Sequence, residues 1–199
     1  MNVHRRAPDF ISVEEYFALD NGSNERFEYL EGRVYRLPDE RVEHHRIAEN
    51  LFQALSQRLD PNRWQAVQRG RRLTLLFPKS ARFYVPDGMV VPISSTNNQA
   101  DYDEPILVAE VSSRRTKRCD ENEKLVAYRA YGWLAMYLII NQAKPEIVAY
   151  RRSGARFKAE VYSGLESEIY LPKMEMNLPL REIYQAVRFS PEHDPDPNQ

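Results

Sequence analysis

Residues 106–111 read Ile-Leu-Val-Ala-Glu-Val, an apolar run interrupted by a single carboxylate, Glu110. A short continuous apolar stretch without alternation reads as a strand covered on both faces and placed centrally in a sheet. A carboxylate near the end of such a strand is costly unless a metal ion, a cationic side chain or backbone donors compensate it. Upstream, Phe83 to Val91 is a second strand-like run and contains Pro86-Asp87-Gly88; the polar stretch Pro92 to Glu104 separates the two as a loop. Antiparallel pairing with Val91 opposite Ile106 places Asp87 opposite Glu110, two carboxylates on one patch and close enough to share a cation. Two hard oxygen ligands, the nearby Val111 carbonyl and waters suit Mg²⁺, with Mn²⁺ as a substitute. Taken singly, each residue has a plainer reading. Pro-Asp-Gly is ordinary turn chemistry, and Glu110 alone fits a buried ion pair with Arg72 or Lys124.

Downstream, Ser112 to Cys119 forms a basic loop with Arg114, Arg115, Lys117 and Arg118. Arg114, Arg115 and Lys117 are candidates for phosphate contacts, and solvated loop charge is the competing reading. A helix is expected from Asp120 to Tyr131, stopped by Gly132. On it Asp120, Lys124 and Tyr128 are spaced four apart and share a face. If that face turns toward the end of the Glu110 strand, the Lys124 ammonium reaches the carboxylates. There it can orient a water or neutralise charge developing on a phosphate. Otherwise Lys124 makes a surface pair with Asp120. Leu134 to Ile140 reads as another buried strand, Glu146 to Arg151 and Phe157 to Tyr162 as two more, and Leu180 to Val187 as a short helix.

Toward the N-terminus, Ser12-Val13-Glu14-Glu15 has the form of a capping box opening a helix that runs to Asp20 and ends at Asn21-Gly22. Arg26 to Tyr35 reads as two short strands around a turn at Glu31-Gly32. From Glu43 to Leu59, Ile47, Leu51, Leu55 and Leu59 recur every fourth residue, the stripe of an amphipathic helix, and Asp60-Pro61-Asn62 stops it. Strands are expected at Trp64 to Gln68 and Arg72 to Phe77. This order of elements predicts an α/β (α+β) fold, a mixed and mainly antiparallel sheet flanked by helices.

The bulk numbers narrow the function classes. A chain of 199 residues with 42% hydrophobic and 29% charged residues has the balance of a globular domain with a core of its own. Residues 1–187 are expected to form one domain and 188–199, rich in Pro, Asp and Asn, a flexible tail. With 28 basic against 29 acidic residues there is no overall basic field, so phosphate binding must come from a local patch or a metal. The single cysteine, Cys119, fits a reducing, cytoplasmic setting. The polar N-terminus has no apolar core of a signal peptide, and no apolar run is long enough to span a bilayer, so no membrane is expected. His44-His45 invites a zinc reading, but no Cys or third His has suitable spacing.

In their order and spacing, these pieces resemble the PD-(D/E)xK nuclease superfamily and, more narrowly, its Uma-type family of restriction-endonuclease-like proteins. The resemblance runs from Ile11 to Val187. It is carried by Ser12-Val13-Glu14-Glu15-Tyr16, Arg26 to Gly32, His44 opening a helix, Pro86-Asp87, Val108-Ala109-Glu110-Val111 with Ser113, Asp120 with Lys124 and Tyr128, and Tyr137. It implies a restriction-endonuclease-like core and a Mg²⁺-dependent endonuclease hydrolysing phosphodiester bonds of DNA. Asp87 and Glu110 are then the metal ligands, joined by Val111, and Lys124 completes the catalytic set. Glu28, His44, Asp120 and Ser113 support the site, and by analogy the protein is a homodimer. Two positions depart from the pattern: Ser112 stands where the superfamily has its lysine, and Met136 stands where the family has a glutamate before the tyrosine. They define the alternative, a nucleic-acid- or protein-binding module that keeps the fold.

Overall fold

The computed structural model describes residues 10–23, 25–78, 80–94, 101–102 and 104–189. The first helix, α1 (Val13–Asn21), opens with the expected capping box: Ser12 accepts from the Glu15 amide at 3.1 Å, and Glu15 accepts from the Ser12 amide at 2.7 Å. The hairpin of β1 (Phe27–Leu30) and β2 (Arg33–Arg36) turns at Glu31 and Gly32, with φ of 52° and 93°. Positive φ at both central residues marks the tight turn whose twist matches that of the flanking strands. The long helix α2 (Val42–Arg58) follows, then β3 (Trp64–Gln68) and β4 (Arg72–Phe77).

The expected single strand from Phe83 to Val91 is two strands in two sheets. β5 (Ser80–Tyr84) pairs with β1 and β4, while β6 (Gly88–Pro92) pairs with β3. Pro86 lies at the break, where a residue with no amide hydrogen is tolerated because no ladder bond is needed. Gly88 is not a turn residue either. It lies within β6, and a Cβ there would come within 3.0 Å of Leu51 Cδ2, so its role is to admit α2 close to the sheet.

Part of the polar stretch forms a short strand, β7 (Asp101–Tyr102), parallel to β4; residues 95–100 and 103 lie outside the described residues. The central strand β8 (Leu107–Ser112) pairs antiparallel with β6, Gly88 opposite Ala109 and Val90 opposite Leu107. Over Gly88–Val90 this is the predicted register, but it does not extend to Asp87: the Asp87 amide donates to the Ala109 carbonyl at 3.1 Å, so Asp87 and Gly88 both face Ala109, as in a β-bulge, and the expected placing of Asp87 opposite Glu110 is not formed.

The expected helix at Asp120 begins earlier, at Lys117, and its stretch Cys119–Lys124 is π-helical before α3 (Leu125–Ala130). Next, β9 (Met136–Asn141) lies parallel to β8, and β10 (Glu146–Ser153) and β11 (Arg156–Ser163) form a hairpin on its far side. The hairpin of β12 (Glu168–Leu171) and β13 (Met176–Pro179) was not read from the sequence, and α4 (Leu180–Ile183) is shorter than expected. Of the expected tail, Arg188 and Phe189 are described, Phe189 resting 5.6 Å from the Tyr184 ring. Residues 190–199 lie outside the described residues.

Pairing is mostly antiparallel, in a six-stranded sheet β11-β10-β9-β8-β6-β3 and a five-stranded sheet β2-β1-β5-β4-β7. One face of the larger sheet buries Val90, Ala109, Leu138 and Ala149 under α2, α4 and the β12–β13 hairpin. The other face buries Met89, Val108, Tyr137 and Ile139 under α3, β4 and β5. β8 is therefore buried along its whole length, as its apolar run predicts. A smaller cluster of Ile11, Tyr16, Tyr29 and Phe83 holds α1 to the second sheet.

Leu51, fully buried on the sheet-facing side of α2, carries the contact between that helix and the sheet. Leu51→Ala is expected to lower stability by about 2–5 kcal/mol, as large-to-small core changes do. Urea unfolding would measure it, and a loss below about 1 kcal/mol would contradict this packing.

Candidate metal-dependent nuclease site

The site lies at one end of the six-stranded sheet, where β6 begins and β8 ends. α2 reaches it from one face of the sheet and the π-helical segment from the other. The cavity there has a volume of about 280 Å³, and Asp87, Glu110, Val111, His44 and Lys124 all line it. The side chains of Asp87 and Glu110 thus open onto one space, although they are held from opposite faces of the sheet, Asp87 by His44 of α2 and Glu110 by Lys124 and Tyr128 on the other side.

Each carboxylate is held differently. Asp87 Oδ1 lies 2.7 Å from His44 Nε2, and Oδ2 accepts from the Val111 amide at 2.8 Å. Burial pushes Asp87 up, but the hydrogen bond and charge of His44, the Val111 amide and the charge of Lys124 outweigh it and hold Asp87 below the usual carboxylate range. Glu110 accepts both its hydrogen bonds on Oε1, from Lys124 Nζ at 3.0 Å and from the Tyr128 hydroxyl at 3.0 Å. Burial holds Glu110 well above the usual range; Lys124 opposes this, while Asp120, Asp87 and Glu28 add to it. Lys124 also pairs with Glu28 Oε1 at 2.9 Å, and that oxygen accepts from the Val85 amide at 3.2 Å. Burial disfavours the ammonium, yet Glu110, Glu28 and Asp120 keep Lys124 charged, well above its ordinary value.

The predicted face of Asp120, Lys124 and Tyr128 is present, and all three residues are buried. It survives the widening of the helix to π geometry, a local form found often at functional sites. Tyr137 donates to the Asp120 backbone carbonyl at 3.1 Å and fixes this segment to β9. Asp120 Oδ2 is buried without a hydrogen-bond partner, and burial raises the carboxyl above its usual range against the pull of Lys124.

Of the other expected residues, Ser113, Arg114 and Arg115 line the cavity and Lys117 does not. Ser113 starts the following helical turn, donating its amide to Thr116 Oγ1 at 3.1 Å. Arg115 donates to the Asp39 carbonyl at 3.1 Å, tying the basic loop to the segment before α2. Lys117 is exposed and lies 3.6 Å from Glu121. Arg72, one of the alternative partners for Glu110, instead pairs with Asp20 at 2.6 Å; the other, Lys124, does pair with it. His45 faces away from Asp87, 2.6 Å from Arg69, with its imidazole held below the ordinary value by burial and then by that guanidinium.

Sequence reasoning missed Glu40. Potential ligand atoms of Glu40, His44 and Asp87 lie within 4.8 Å of one another. The signal was Glu40 four residues before His44, across the start of α2. Glu40 is already engaged by Arg26 at 2.5 Å and by Arg69, so its charge is compensated. Asp87 is engaged by His44, and Glu110 shares the single ammonium of Lys124 with Glu28. Glu28, Asp87, Glu110 and Asp120 are all buried, and among the described residues Lys124 is the one buried ammonium. That surplus of buried negative charge, with an oxygen of Glu110 outside the hydrogen-bond network, fits a divalent cation and its oxygen-ligand chemistry.

An arrangement of buried carboxylates and a lysine at the end of a sheet is the class of site expected of a nuclease-like protein. Residues 13–180 match the Uma2 family, described as "Putative restriction endonuclease", and the chain belongs to that family. An uncharacterized protein of Synechocystis sp. is 26% identical over 149 residues, spanning 73% of this chain and 83% of its own. The fold is also that of a crystal structure from Anabaena variabilis titled as a putative nuclease belonging to DUF820. That match has a TM-score of 0.67 and 17% identity, and covers 87% of this chain and 97% of the other. Among the described residues, no helix is long and apolar enough to cross a membrane.

The raised Glu110 pKa has a stability consequence of definite sign. A carboxyl held above its unfolded value, near 4.5, contributes stability that is complete below that value and is lost as pH rises through the folded one. Glutamine mimics the neutral acid at all pH. In chelator-treated protein, the stability of Glu110→Gln relative to wild type is therefore expected to improve between about pH 5 and pH 8. Urea unfolding at the two pH values tests this, and wild type gaining on the variant as pH rises would contradict it.

Proposed function

We propose that this protein is a Mg²⁺-dependent endonuclease that hydrolyses phosphodiester bonds of DNA, with Mn²⁺ able to substitute. The observation that carries this reading is the surplus of buried carboxylates where Asp87 and Glu110 meet at one cavity. Asp87, Glu110 and the Val111 carbonyl would hold the ion. When bound, it supplies a water of lowered pKa and polarises a phosphoryl oxygen.

The chain's own groups have definite tasks around it. His44 and the Val111 amide fix both oxygens of Asp87, so the carboxylate is oriented in advance. Tyr128 and Lys124 do the same for Glu110 through Oε1, leaving Oε2 to face a cation. Glu28 holds Lys124 charged beside the reacting centre, where its ammonium stabilises negative charge developing on phosphate. Arg114 and Arg115, on the cavity wall, are placed to bind neighbouring phosphates of the strand. The single cysteine fits action in a reducing compartment, the cytoplasm.

Both departures from the superfamily pattern are accounted for on this reading. Lys124 supplies an ammonium to Glu110 in place of one at Ser112. Met136 pairs with Leu107, at the opposite end of β8 from Glu110, and is buried in the core under α2. A glutamate at Met136 would not face the cavity, so its absence removes nothing from the site.

Asp87→Ala is expected to abolish tight Mn²⁺ binding and plasmid nicking. His44→Ala, which removes only a support of Asp87, is expected to weaken metal affinity about 10–100-fold. Calorimetric titration and a nicking assay test both. Equal affinity in wild type and Asp87→Ala would sink the proposal.

A further inference from the structure

We propose that β11 is a dimerisation edge, at which the six-stranded sheets of two copies of this chain join through antiparallel pairing of β11 with β11. The strand lies at the end of its sheet, and with eight residues it is longer than the five of β3 at the opposite end and the four of β2 in the other sheet. Among the described residues its outer side has no strand partner. Such an edge presents unpaired backbone donors and acceptors in a row, a template for another strand.

The occupant follows from the sequence of the strand, Arg156-Phe-Lys-Ala-Glu-Val-Tyr-Ser163. In an antiparallel ladder two directly opposed residues must both point their backbone groups toward the partner or both away. Across a two-fold axis, this allows pairing only about a residue of the strand, not between residues. Centring on Lys158 sets two lysines face to face, and centring on Glu160 sets two glutamates. Centring on Ala159 sets Lys158 against Glu160 of the other copy, twice, with Phe157 against Val161 and Arg156 against Tyr162. Opposed opposite charges and apolar pairs each stabilise a sheet, and opposed like charges destabilise it. Lysine on an edge ordinarily discourages pairing; in this register it meets Glu160, whose Oε2 is held by Arg151 and the Tyr162 hydroxyl of its own chain and whose Oε1 is left to face it.

The faces agree with the register. Phe157, Ala159 and Val161 stand opposite Arg152, Tyr150 and Val148 of β10, on the side of the sheet that packs against α3. On that side Val161 is 64% exposed, and Val126 and Trp133, from α3 and the turn after it, are 57% and 63% exposed. Large apolar side chains left open on one side of a sheet edge are what a second copy would cover.

Sedimentation velocity on the full chain over a concentration series tests the proposal, with thermal unfolding as the control for folding. Wild type is expected to shift from monomer to dimer as concentration rises. Lys158→Glu sets like charges opposite each other at two symmetric positions and is expected to weaken the dimer roughly ten-fold or more. Val161→Lys, which places a charge against Phe157 of the other copy, is expected to weaken it as well. Lys158 and Val161 are exposed, so both variants should melt with wild type. A wild type that stays monomeric throughout, or a dimer indifferent to both substitutions, would overturn the assignment.

Discussion

The structure turns on one ammonium group. Lys124 reaches from a helix on one side of the sheet to Glu110 on the central strand and to Glu28 on the first hairpin, and it is the one buried ammonium among four buried carboxylates. A buried ion pair of this kind is a weak source of net stability, because desolvation consumes most of the Coulomb gain. It specifies geometry instead. The first hairpin, the end of β8 and the π-helical segment must meet at one point for Lys124 to be satisfied. Tyr128, on the next turn of the same helix, adds a third constraint on Glu110. The positive charge is still too small for its surroundings, and the cavity beside it is where a cation would complete the balance.

Much of this was legible in the sequence because it rests on short-range rules. The apolar run before Glu110 specified a central strand, and the four-residue spacing of Ile47, Leu51 and Leu55 specified the helix over it. Pairing by inward and outward faces then left few registers for β6 against β8, and Gly88–Val90 pair as expected; the irregular pairing at Asp87 was not legible. Asp120, Lys124 and Tyr128 were placed on one face by helical spacing alone, and all three are buried there.

What was not legible depends on tertiary contacts that no local pattern encodes. Phe83 to Val91 is apolar throughout, yet the chain changes sheets at Pro86 so that Tyr84 and Val90 serve different layers. The β12–β13 hairpin is too short and too polar on its outer face to announce itself, and its strands form by covering the end of the first core. π geometry at Cys119–Lys124 has no propensity signature; it is set by where Asp120 and Lys124 must point. Glu40 was not singled out because Arg26 and Arg69, which engage it, are distant in sequence. Lys117 shows the reverse error, since membership of a basic run did not bring it to the cavity.

Two arrangements compete for a metal around the shared Asp87: one with Glu110, the other with Glu40 and His44. The balance of charge favours the first, since two guanidiniums already engage Glu40. Anomalous scattering from a crystal soaked in Mn²⁺ separates the two directly. The account predicts an ion within coordination distance of both Asp87 and Glu110, with His44 remaining hydrogen-bonded to Asp87. An ion seated instead on Glu40 and His44, or no ion at saturating Mn²⁺, would contradict it.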